Sequence, residues 1–209
     1  MSKTKFKITN IDIFALINFC CFLFMCYAAY FNRFIHYRGR EYLNEFIIYA
    51  IAILLTILAV WRITRRIPFP TWILVPLQIG ILIHFTGGLS IFNNHRMYDT
   101  IIFNIRYDKY VHLINACSGG FVLHKLYFER IELKQWLKDL QIIVLILGIG
   151  AVIEIIEYLV TLTVDINGVG GYNNNMRDLI ANLTGAMLSV LMLRAIALFK
   201  GKRVNDTSA

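Results

Sequence analysis

Two glutamates, Glu154 and Glu157, stand three residues apart in the apolar run GAVIEIIEYLV, a spacing that puts both on one face of a helix. In RYDKYVH, Asp108 and His112 are four apart and share a face in the same way. In RDLIANLTGA, Asp178, Asn182 and Gly185 recur at i, i+4 and i+7. His84 opens the segment HFTGG at the end of another apolar run, and Arg106 and Lys109 flank Asp108. Several carboxylates with a histidine make either an acid–base set or an oxygen-rich metal site, one suited to Mn, Fe or Mg rather than to a thiolate metal. Asp108, His112, Glu154, Glu157, Asp178 and Asn182 are the candidate catalytic residues. His112, Glu154, Glu157 and Asp178 are the candidate ligands of a divalent metal. His84, Arg106 and Lys109 are the candidate substrate-binding residues, the two cations being suited to an anionic lipid headgroup or to snorkelling toward phosphates. The chain carries no GxSxG, P-loop or HExxH element.

These residues stand out because of what surrounds them. A charged side chain deep in a bilayer costs about 2.5–3.5 kcal/mol even on the lenient insertion scale. A polar pair between membrane helices returns only about 0.6 kcal/mol on average. Structural glue therefore does not offset two glutamates that could have been leucines, and a functional reading is favoured. Gly119-Gly120 and Gly185-Ala186 read as sites of close helix contact.

The elements that must position the set follow from composition. Of 209 residues, 58% are hydrophobic and 16% charged, against about 45–50% apolar and about 25% charged in an ordinary globular chain. This excludes a disordered chain, a coiled coil and a cytosolic domain, and leaves a polytopic membrane protein. The net charge of +8 is dispersed in short clusters between apolar runs, as membrane topology requires, and does not imply nucleic acid. Cys20, Cys21, Cys26 and Cys117 lie inside apolar runs and read as small buried hydrophobes.

Six runs are long enough to span, at about 11–31, 46–61, 67–85, 107–127, 140–164 and 179–199. The expected fold is all-α, a six-helix transmembrane bundle forming one integral membrane domain over residues 1–209. Pro76 is expected to kink the third helix. The first follows a basic leader (Lys3, Lys5, Lys7) and reads as a retained helix. Twelve basic residues fall on the side of the N-terminus, the 2–3 and 4–5 loops and the C-terminus, and seven on the other, so both termini are expected in the cytoplasm. ERIELKQWLKD, between the fourth and fifth runs, reads as a short interfacial helix. With this topology Glu154 lies about 21 Å along its helix, and His84, His112 and Asn182 reach the same outer half from helices of alternating direction. The 5–6 loop VDINGVGGYNNNM, rich in Gly and Asn, must pass over this cluster, as a simple tether or as a lid that moves at Gly170 and Gly171.

The order YDKxxH, ExxE, DLxxNxxGA resembles the YjdF family of inner-membrane proteins and is similar to the wider VanZ-like group. The matching residues are Asp108, Lys109 and His112, then Glu154 and Glu157, then Asp178, Asn182 and Gly185; HFTGG and Tyr98-Asp99 fit the YjdF side. The resemblance covers roughly residues 80–195. It implies a bacterial or archaeal plasma membrane and a connection to the cell envelope, and it carries no settled chemistry. The reading that follows is a membrane protein acting on a lipid or lipid-linked envelope intermediate. The alternatives are a small proton-coupled transporter or flippase, and a non-catalytic envelope factor.

Overall fold

A computed structural model describes residues 8–92, 95–163 and 171–206. Helices dominate: α1 (Asn10–Met25) runs through a π-helical turn (Cys26–Tyr30) into α2 (Phe31–Arg38), and α3 (Leu43–Thr64) and α4 (Thr71–Leu89) follow. Then come α5 (Tyr107–Leu123), extended by a π-helical turn (His124–Phe128), α6 (Gln135–Thr163) and α7 (Tyr172–Asp206). Five helical stretches among the described residues are long and apolar enough to cross a membrane: Asn10–His36, Arg40–Thr64, Thr71–Gly88, Gln135–Leu159 and Tyr172–Phe199. The run expected at 107–127 is helical, as α5 and its π-helical turn, and is not among these five.

Contacts divide the chain into two compact units, Met1–Val75 and Pro76–Ala209. In the first, Thr9 and Asp12 form a capping box at the start of α1. Asp12 also accepts hydrogen bonds from Trp61 Nε1 at 2.8 Å and Arg65 Nε at 2.9 Å, tying α1 to the end of α3. The chain reverses before α3 at Gly39, whose φ of +94° suits a residue without Cβ. No residue of α3 is buried, as suits a helix coated by lipid tails.

In the second unit, two short antiparallel hairpins separate α4 from α5. One pairs β1 (Ile91–Phe92) with β2 (His95–Arg96), the other β3 (Ile101–Ile102) with β4 (Ile105–Arg106). The second turns at Phe103 and Asn104, both with positive φ (48° and 62°), the geometry of the primed turns that match strand twist. Tyr110 of α5 donates to Ile102 O at 3.0 Å and pins this hairpin. The most extensive helix contact is α5 on α7, and small residues make it. A Cβ on Gly185 would strike Leu113 O and Ala116, and one on Gly120 would strike Ser189. Below this seam lies a core of Ala116, Phe128, Ile142, Ile146, Ala186 and Val190.

Several expected boundaries move. Helix α7 begins at Tyr172 rather than at 179; its first turns are polar, and Asn174 Nδ2 donates to Asp178 Oδ2 at 2.8 Å, an i,i+4 bond within the helix. Gln135–Asp139, expected within a separate interfacial helix, belongs to α6, while Glu129–Lys134 are not helical. Helix α4 starts after Pro70 and runs on through Pro76, whose missing N–H removes one bond without ending it. The proposed lid hinge at Gly170 and the loop 164–170 lie outside the described residues.

Candidate functional site

The seam of glycines brings the motif-bearing turns of α5 and α7 together, and α6 lies across them. Asp178 is the hub and is 1% exposed. Its Oδ1 accepts from Lys109 Nζ at 2.6 Å and lies 3.3 Å from His112 Nε2; its Oδ2 accepts from Asn174. Lys109 Nζ also donates to Asn174 Oδ1 at 2.8 Å, Asp108 Oδ2 at 3.1 Å and Asn174 O at 3.3 Å. An ammonium has three protons, and four acceptors surround this one. Lys109 was expected at the outer mouth, reaching for headgroups. It is instead buried, turned inward by carboxylates whose attraction grows as water is excluded.

Glu154 extends the hub from α6. It is 5% exposed, its Oε1 lies 4.0 Å from His112 Nε2, and that oxygen has no hydrogen-bond partner. Asp108 Oδ1 and Arg106 Nε are likewise buried and unpartnered. One donor atom from each of His112, Glu154 and Asp178 lies within 4.8 Å of the other two. Glu157 stands outside this triad. It is half-buried and lines a cavity of about 640 Å³ together with His84, Arg106, His112, Asp178 and Asn182. Asn182 lies against Gly150 of α6, where a Cβ would meet its amide. Glu154 borders a second cavity, of about 590 Å³, with Tyr158 and Tyr172.

A cationic rim stands at one end of the larger cavity. Arg106 Nη2 donates to Asp99 Oδ1 at 2.9 Å and lies 3.4 Å from Asp108 Oδ2, while Arg96 Nε donates to Asp99 Oδ2 at 3.0 Å. His84 sits here too, its Nδ1 2.6 Å from the Tyr98 hydroxyl. Further along α5 the lining turns apolar, with Val122 and Leu123 joined by Ile146 and Ile149 of α6. The model of the DUF2238 family, described as predicted membrane protein, matches residues 14–198. The chain belongs to this family. The DUF2238 match spans every residue of the hub, the rim and the apolar wall. No curated protein and no solved structure matches the chain.

Asn174, Arg96 and Asn115 also shape the site and were not singled out from sequence. Asn174 had a signal, its i−4 spacing from Asp178. Arg96 had none, since it reaches the rim through Asp99 and a hairpin.

Proposed function

We propose that this integral membrane protein binds, and acts upon, a lipid or lipid-linked intermediate of the cell envelope. It would span the plasma membrane with six helices as one domain, both termini cytoplasmic, with the site in the outer half of the bilayer. The resemblance to YjdF and VanZ-like sequences agrees with that setting. The observation that carries the reading is the two-ended cavity: arginines and a histidine at one end, isoleucines and valines along the wall. A site of this kind suits an amphiphile with an anionic head and an apolar tail. Asp108, His112, Glu154, Glu157 and Asp178 stand beside the head position as an acid–base set.

The test is mass spectrometry of lipids retained by protein extracted into native nanodiscs, against Ile149→Trp, which narrows the tail channel, and Arg106→Gln, which weakens the head contact. Selective retention of one anionic class in the wild type, reduced in both variants, supports the reading. Retained lipid that mirrors the bulk membrane in all three refutes it. A second reading, proton-coupled transport or flipping, draws on Glu154, which borders one cavity and reaches toward His112 in the other. Proton flux in proteoliposomes, absent in Glu154→Gln, would favour it.

A further inference from the structure

We infer that His112, Glu154 and Asp178 bind a divalent first-row cation, of which Mn²⁺ is the probe of choice. The argument starts from charge. Asp108 and Asp178 hold Lys109, Glu154 reaches toward His112, Glu157 lines the adjoining cavity, and the charge of Arg106 and Arg96 is shared with Asp99 and Asp108. The balance inside the cluster is negative, in a place where uncompensated charge is expensive.

The second observation is the unpartnered oxygen. Glu154 is 5% exposed, and its Oε1 is directed at the His112–Asp178 pair with no donor to meet it. A buried acceptor with nothing to accept forfeits about 1–3 kcal/mol, more when charged. A glutamate kept in that position is accounted for if a cation meets the oxygen.

Geometry agrees. Donors bound octahedrally to one ion at about 2.1 Å lie about 3.0 Å apart when adjacent and about 4.2 Å apart when opposite. His112 Nε2 stands 3.3 Å from Asp178 Oδ1 and 4.0 Å from Glu154 Oε1, both inside that window. The remaining pair lies within 4.8 Å, which a small rotation of the glutamate brings into range. One imidazole and two carboxylates favour Mn²⁺ or Fe²⁺ over thiolate-seeking ions. Lys109 and Asn174, both bonded to Asp178, hold that carboxylate in its orientation, as the partners of metal-bound carboxylates commonly do. His112 and Asp178 line the larger cavity, from which water or an anionic head can complete the coordination. The inference deepens the amphiphile reading by placing a cation at the head position, but it stands on the donors alone.

The test is Mn²⁺ binding by the full chain in detergent, followed by the loss of free Mn²⁺ electron paramagnetic resonance signal, with size-exclusion profile and helical circular dichroism as fold controls. The expected result is saturable binding of one ion per chain, weakened at least tenfold in Glu154→Gln and in His112→Gln, and unchanged in Glu129→Gln. Wild-type protein that binds no Mn²⁺, or folded Glu154→Gln and His112→Gln that bind it as the wild type does, overturns the site. If Glu154→Gln misfolds, His112→Gln decides alone. Mn²⁺ binding with no selective lipid would keep the cation and remove the amphiphile; selective lipid with no Mn²⁺ would do the reverse.

Discussion

Asp12 and Asp178 are both carboxylates of membrane-embedded units, each recruited by a cation from another helix, and they end in opposite states. Around Asp12 the donors suffice. Thr9 N and Oγ1 serve one oxygen at 2.9 Å each, and Trp61 and Arg65 serve the other. Around Asp178 four acceptors meet the three protons of Lys109, and Glu154 Oε1, Asp108 Oδ1 and the donor Arg106 Nε are left over. In the first cluster both oxygens of Asp12 are met, and it holds α1 to α3. The second has unspent capacity beside a cavity. What separates a structural ion pair from a candidate site here is whether the buried polar atoms around it are satisfied.

The comparison can be broken at several points. Asp178→Ala should be the most damaging change, because it takes the nearest anion from a buried ammonium. We expect a loss toward the low end of about 3–5 kcal/mol, since Asp108 and Asn174 still hold Lys109; thermal unfolding in detergent measures it. Gly185→Ala should come next, at about 1–3 kcal/mol, because its methyl meets the Leu113 carbonyl. Gly148→Ala, with no heavy atom within 4 Å, should be neutral or slightly stabilising in the same assay. Asp12→Asn should lower thermal stability slightly and leave cation and lipid retention at wild-type levels. A loss of either would mean the first cluster is not merely structural. Glu154→Gln should have the smallest effect on stability, none or a slight gain, since it removes a charge that lacks a donor. A large destabilisation by Glu154→Gln would show that the oxygen is satisfied after all and erase the contrast.

Helices over the apolar runs were legible in sequence, five of them long and apolar enough among the described residues to cross a membrane, as was the sharing of helix faces by the polar residues, because apolar length and i,i+4 spacing are local properties. Helix ends were less so. Asn173, Asn174 and Asn175 are weak helix formers, so α7 read as starting later than Tyr172, and Gln135–Asp139 carry charge that masked their continuity with α6. The inward turn of Lys109 was not legible at all. Its partner Asp178 is 69 residues away, and spacing within one helix carries no trace of it. Glu154 and Glu157 share a helix face, yet the structure gives one to the triad and the other to the cavity wall. A 100° step per residue leaves positions three apart about 60° offset, enough to assign neighbours to different surroundings.

The polarity of α5 has a consequence in time. Asp108, Lys109 and His112 fill its first two turns, and the groups that neutralise Lys109 from α7 are 65 and 69 residues further along the chain. At about 5–20 residues per second, the ribosome delivers them roughly 3–14 s after Lys109 has been made. During that interval α5 has an ammonium without its main counter-ion. Lys109 therefore completes its ion pairs only once α7 has been made, and the site matures later than the helix that opens it.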